Sequence, residues 1–331
     1  MPSRLRKPTG SPAKWLGLLL SFLATGSCLT AQEVSEIMPL ADRALALDLA
    51  QSGDRWIAVG ERGHILLSHD QGREWEQVAV PSRALLTAVA FDGHRNGFAV
   101  GHDNTLLLTR DGGLNWKWIA INGPYDVIFL DAFWLDTQTA FAIGAYGEFW
   151  ESRDSGKSWS RRVISEEELH FNAIARTGDG TLFIAGESGL LLRSRDRGVS
   201  WDPIDTPYFG SYHGLFTVGS EKIWLFGMRG NIFFSPDLGE NWIEKSGQSK
   251  VFLSAGLSFE DGRLIIVGQG GSLFTSSPEG AAFRLHLRPE FDKLSAIGRS
   301  RDGALLLAGN RGLHRLEPAE VRDLFQKPDT P

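Results

Sequence analysis

Ser68-His69-Asp70-Gln71-Gly72-Arg73-Glu74-Trp75 decides the fold, because it recurs. The frame returns as Thr109-Arg110-Asp111-Gly112-Gly113-Leu114-Asn115-Trp116, as Ser152 to Trp159 around Asp154, as Ser194 to Trp201 around Asp196, and as Ser235 to Trp242 around Asp237. The pattern is [S/T]-x-D-x-G-x-x-W, and its aspartates lie 41, 43, 42 and 41 residues apart. A worn sixth copy at Ser276–Phe283 keeps the serine and Gly280 but lacks the Asp and Trp. A period of that length marks one supersecondary unit that buries its apolar faces only against neighbouring copies. Within the string the chemistry is that of a turn. The Asp accepts backbone N–H groups, the Ser or Thr ties the turn to its strand, the Gly takes a positive φ, and the Trp plugs a neighbouring sheet.

A second marker runs in phase, a Gly-x-x-Gly turn at Gly60, Gly144, Gly186, Gly227, Gly268 and Gly309. Its copy at Gly101 ends in Asn104, the residue that best tolerates a left-handed backbone. Between the markers lie short β-like runs, such as Ala44–Leu49, Trp56–Val59, Ile65–Ser68 and Trp75–Val80. Four strands per unit of about 40–45 residues predict an all-β, seven-bladed β-propeller of four-stranded blades. The seventh unit offers three strands. Val34–Leu40, ahead of the first unit, is expected to supply the fourth and close the ring.

Ahead of the repeats, Arg4, Arg6, Lys7 and Lys14 precede the apolar run from Trp15 to Ala24 and the small residues Thr25–Ser27. This is the layout of an export signal over residues 1–31. Cleavage near Ala31, lipid addition at Cys28 and an uncleaved anchor remain open. The expected organisation is then an export signal (1–31), the propeller (32–317) and a C-terminal tail (318–331). The whole chain of 331 residues carries a net charge of −6 and one cysteine. Loss of residues 1–31 removes four of 34 basic residues and none of 40 acids, leaving −10. An acidic, cysteine-free exported protein excludes a disulfide framework and a phosphate-backbone binder.

Enzyme signatures fail on inspection. Ser155-Gly156-Lys157-Ser158 imitates a phosphate loop, but Glu151 stands where its first glycine belongs. No Gly-x-Ser-x-Gly, His-Glu-x-x-His or Cys-x-x-Cys string is present. The boxes at Asp70/Trp75, Asp111/Trp116, Asp154/Trp159, Asp196/Trp201 and Asp237/Trp242 read as structural, since one acid per turn does not make a metal site. No cofactor or metal is expected.

The recurring string is the Asp-box, or BNR repeat. Together with the unit count and the export signal, it resembles the Ycf48/HCF136-like family of photosystem II stability and assembly factors. The resemblance covers roughly residues 33–317. It implies an exported, non-enzymatic binding platform, in the periplasm, thylakoid lumen or cell envelope. The implied partner is a membrane protein complex subunit or its precursor, in that family photosystem II. No nucleic acid is involved, and a monomer is expected. The alternative is an Asp-box glycoside hydrolase of sialidase type, since Arg43, Arg62, Arg83 and Arg311 could converge on a carboxylate. Binding is expected on the rim opposite the boxes, where the Gly-x-x-Gly turns and the inter-blade links meet. The candidates there are Arg43, Arg62, Arg83, Tyr125, Asp126, Tyr146, Tyr208, Tyr212, His213, Arg229 and Arg311, because Arg and aromatic residues anchor interfaces.

Overall fold

Runs such as Trp56-Ile57-Ala58-Val59 and Leu106-Leu107-Leu108 are apolar at successive positions, so a strand there must be covered on both faces. The computed structural model, which describes residues 33–123, 126–246, 249–280 and 282–326, provides that cover by stacking sheets face to face. The expected export signal lies outside the described residues. Among the described residues there are six four-stranded antiparallel sheets and one three-stranded sheet, each formed by strands consecutive in sequence. The first strand of each, from Ala46–Ser52 in blade 1 to Leu294–Arg299 in blade 7, lies innermost around an axial channel. Second strands such as Ala140–Gly144 are buried at every residue. Fourth strands are short and polar, as in Lys117–Trp118 and Asp202–Pro203, which limits edge-to-edge association.

The boxes are turn clamps. In blade 3 Ser152 Oγ donates to Asp154 Oδ1 (2.9 Å), and the same oxygen accepts the N–H groups of Lys157 and Ser158 at 3.0 and 2.9 Å. Gly156 N–H donates to Ser152 Oγ, and Trp159 Nε1 to Gly156 O. The Trp rings lie against the preceding blade: Trp159 meets Phe98 at 4.9 Å, and Trp201 meets Phe149 at 5.8 Å. In the worn sixth box, Phe283 takes this place and packs edge-on against Trp224. Each box therefore staples two blades.

The N-terminal segment corrects one expectation. Val34–Leu40 is not a fourth strand of blade 7, whose sheet has three strands. It lies along the outer strand of blade 1 instead. Ser35 N–H donates to Val80 O, Val80 N–H donates to Ser35 Oγ, and Gln77 bonds both Met38 N–H and Glu36 O. Ring closure comes from the next residues. In blade 1 the second glycine of the turn, Gly63, sits against Ser82 O of the link into blade 2. In blade 7 the equivalent Gly312 sits against Asp42 O. Ala41–Arg43 thus serves as the missing seventh link, without a covalent connection. Arg73–Asp302 (3.1 Å) and Arg315 to Gln71 O (2.7 Å) add to this seam.

The C-terminal segment is also more than a tail. Pro318–Gln326 is a helix, and its Val321 and Leu324 are buried against Leu273 of blade 6 and Leu305 and Leu316 of blade 7.

Three substitutions test these packing roles. Asp154→Ala should cost about 1–2 kcal/mol through lost hydrogen bonds, and Trp159→Ala about 3 kcal/mol, the low end for an aromatic that is only part-buried. Leu324→Ala should cost about 2–3 kcal/mol, whereas a dispensable tail would tolerate it. Urea unfolding measures all three.

Candidate partner-binding face

The first glycine of each Gly-x-x-Gly turn is required by contact. A Cβ on Gly60 would stand 1.9 Å from Leu45 O, and one on Gly101 would stand 2.0 Å from Leu85 O. The same clash recurs at the other five blades, with Lys293 O against Gly309 in the last. The inner strand bulges directly after this contact, as between Leu86 and Ala88. Turn, link and bulge are thereby locked together on one rim, and the boxes occupy the other.

At the apex of five turns a non-glycine residue is held in the left-handed region. These are Arg62 (φ 55°), Asp103 (56°), Tyr146 (56°), Ser188 (55°) and Arg229 (59°). Blade 6 has Gly270 there. For bulky residues this conformation is strained by roughly 1 kcal/mol or more. Arg62 and Arg229 are exposed, and Tyr146 is 64% exposed with its ring edge-on to His170 at 4.9 Å. Phe209, on the link facing Gly189, is 90% exposed, and Met228 beside Arg229 is also exposed. Sequence reasoning missed Met228, which lacks the charge or aromatic ring that draws attention to a surface position.

The remaining candidates divide. Arg43 is exposed on the closing link, and Arg43, Arg62 and Arg229 have no ion pair among the described residues. Arg83 is neutralised by Glu36 (2.9 Å) and Glu33 (3.4 Å), and Arg311 by Asp292 (2.9 Å). Asp126 is exposed, and Tyr125 lies outside the described residues. Tyr208 is part-buried and stacks on Phe233. Tyr212 is a correction: it is fully buried, and burial pushes its phenol up to about 12. It opens an inner strand, so its place in the aromatic-rich link gave the wrong impression. His213 is half-buried in the channel wall against Phe252 (4.5 Å); burial, with Lys293 nearby, lowers its pKa.

Below this face a ring of cross-blade bonds lines the channel, which encloses about 320 Å³. Thr87 donates to Phe129 O (2.8 Å), Asn172 to Tyr212 O (2.7 Å), and Ser254 to Leu294 O (2.6 Å). Each of these donors is the bulged residue of its inner strand. Where the bulge holds Leu47 or Leu130, the following Asp does the same work. Asp48 accepts Val89 N–H (2.9 Å), and Asp131 accepts Ile174 N–H (2.8 Å). Other blades carry Ala or Gly at that second position. Burial, then the charge of Asp131, pushes Asp48 up to about 7, and burial pushes Asp131 up to about 6. This pair was not legible in the sequence, because its partners come from neighbouring blades.

The class is therefore a seven-bladed Asp-box propeller with a strained, Arg- and aromatic-bearing face. The family model described as photosynthesis system II assembly factor YCF48 matches residues 67–121 and 117–328. The chain belongs to that family. It is 26% identical over 213 residues to the photosystem II assembly lipoprotein Ycf48 of Synechococcus sp. (strain CC9902), covering 61% of this chain and 62% of the relative. It is 24% identical over 242 residues to the photosystem II stability/assembly factor HCF136, chloroplastic, of Arabidopsis thaliana, covering 63% and 60%. The chain thus spans about three-fifths of the length of these curated relatives. A solved structure described as YCF48 bound to D1 peptide superposes with a TM-score of 0.67 at 21% identity, over 87% of this chain and 95% of that one.

The raised carboxyls make stability pH-dependent. Their folded pKa values lie above the usual 3.8, so the folded chain holds protons that the unfolded chain releases. Their contribution is full below about pH 4 and is lost as pH rises through 6 and 7. His64, His213 and His314, lowered by burial, tilt the opposite way, so the readout is a difference. Between pH 5 and 8, Asp48→Asn should lose less stability than the unsubstituted chain, by on the order of 2 kcal/mol. Equal slopes in chemical unfolding would contradict this.

Proposed function

We propose that this chain is a non-enzymatic, exported platform that assists the assembly or stability of a membrane protein complex, and that it holds its client on the turn-and-link face. The observation that carries the reading is the strain at the apices. Arg62, Tyr146 and Arg229 stand exposed where glycine would fold at lower cost. Exposed side chains held in strained conformations are the mark of a site kept for contact with something else. The client is a photosystem II subunit or its precursor, as the names of the curated relatives and the D1 peptide of the solved relative support. The compartment is one that an export signal reaches, a periplasm or thylakoid lumen. Among the described residues no helix is long and apolar enough to cross a membrane.

The glycosidase reading finds less support. Such an enzyme needs a protonated acid and a second carboxylate facing an open cleft. Asp48 and Asp131 are the acids that burial raises, and each has one oxygen on a neighbouring blade's N–H and the other on the next residue's N–H.

The test separates display from architecture. Arg62→Gly with Arg229→Gly should leave the melting temperature unchanged or higher, since glycine relieves the left-handed strain. The same double variant should weaken capture on immobilised D1 peptide at least about fivefold, the loss of roughly 1 kcal/mol of binding. Unchanged capture, or mutation-sensitive turnover of chromogenic glycosides, overturns the reading.

A further inference from the structure

His64 is the one buried histidine among the described residues, 3% exposed, and neither of its ring nitrogens has a hydrogen-bond partner among them. It stands directly after the second glycine of blade 1's turn, at the foot of the third strand. The other blades show what that position requires. Blades 4 and 7 fill it with Leu190 and Leu313. Where a buried polar residue stands there, it is bonded. Thr105 Oγ1 meets Ser82 Oγ (3.4 Å), Glu148 accepts Trp150 Nε1–H (2.7 Å), and Ser272 Oγ donates to Gln269 O (2.9 Å). A buried imidazole left unbonded costs stability, and two sister blades fold without it.

The histidine is coupled to the client face through its own backbone. Its N–H donates to Glu61 O (2.9 Å) and its carbonyl accepts Gly60 N–H (3.1 Å), which closes the turn with Arg62 at the apex. Glu61 in turn holds the closing link. Its N–H donates to Leu45 O (3.1 Å), and its Oε1 accepts Leu45 N–H (3.4 Å). Leu45 follows Ala41–Arg43, the link that carries Arg43. Leu66, two residues on and so on the same face of the strand, packs with Ala41 and Leu313. His64 therefore faces the seam where the ring closes without a covalent connection.

Burial lowers the pKa of His64, while Glu61 raises it and Arg62 lowers it. On the flanking elements Arg83, Arg311 and Arg315 are each paired with acids, and His314 lies on Arg311 O. Asp42 and Arg43 of the link have no ion pair among the described residues. An imidazolium has two N–H donors and a charge to hydrate, and no acceptor is bonded to either nitrogen here. We propose that His64 is an acid-operated release for this corner of the client face: on protonation the imidazole leaves the seam, and the Glu61–Gly63 turn and the Ala41–Arg43 link open with it, withdrawing Arg62 and Arg43 together. The open site titrates near the ordinary 6.5 and the closed one below it, so closure is full above that pH and weakens as pH falls through it. Release of the client rests on the reading of the face given above; opening of the turn does not.

The test compares the full chain with His64→Leu, which places there the residue of blades 4 and 7, or with His64→Thr, the residue of blade 2, should the first not fold. Amide exchange at Glu61 reports the turn, and Ala145, the matching amide of blade 3, is the reference. From about pH 8 to about pH 5, opening at Glu61 should rise at least about tenfold in the unsubstituted chain, after correction for intrinsic exchange. It should stay flat at Ala145 and in His64→Leu. Over the same interval, binding to immobilised D1 peptide should weaken at least about threefold more in the unsubstituted chain than in His64→Leu. Equal opening at Glu61 in both chains overturns the proposal, as does slower exchange in acid, the result if Asp42 swings onto the imidazolium and clamps the link. A pH dependence of peptide binding that the substitution leaves unchanged overturns it too. If neither chain binds the peptide at about pH 8, the client reading falls, and exchange at Glu61 still decides the switch.

Discussion

One backbone contact recurs in every blade and governs the rest: the carbonyl just before the inner strand rests on the first glycine of the Gly-x-x-Gly turn. A methyl group there would stand well inside van der Waals distance, from 1.9 Å at Gly60 to 2.5 Å at Gly227. The contact fixes where the link enters the blade and where the bulge falls. The bulge in turn points Thr87, Asn172 and Ser254 across to the next blade. On the opposite rim the box tryptophans reach back to the preceding blade. Adjacent sheets are therefore tied at the axis in one direction and at the rim in the other. This double tie suits a ring of stacked sheets, whose stability rests on neighbour interfaces.

Rigidity at the rim is what makes the strained apices affordable. An exposed Tyr or Arg in a left-handed conformation persists only when its surroundings determine the backbone completely. Here the second glycine of the turn is pressed against the link, so that a Cβ on Gly230 would stand 2.1 Å from Ser249 O. The resulting face presents Arg43, Arg62 and Arg229 without acidic partners among the described residues, while Arg83 and Arg311 are neutralised. A chain that is acidic overall thus keeps local positive charge on one face, together with Tyr146 and Phe209 as apolar anchors.

The repeat made most of the fold legible. Box spacing set the blade count, and Gly-x-x-Gly spacing set the rim, because both report local backbone geometry that side-chain type constrains directly. What could not be read depends on contacts between distant parts of the chain. Val34–Leu40 has the composition of a strand, but Ser35 and Gln77 draw it to blade 1. Tyr212 sits in an aromatic link by sequence and in the core by structure, since the link ends one residue earlier. Asp48 and Asp131 look like ordinary strand acids until the neighbouring blade's N–H groups are placed on them. On the face itself, charge was visible in the sequence and its neutralisation was not.

The central claim is that the client meets the turn-and-link rim and leaves the box rim untouched. Photo-crosslinking residues placed singly at Tyr146 and at Ser158, on opposite rims, test it directly in the presence of D1 peptide. Crosslinks from position 146 and none from position 158 are predicted. Crosslinks from 158 alone, or equally from both, would contradict the account.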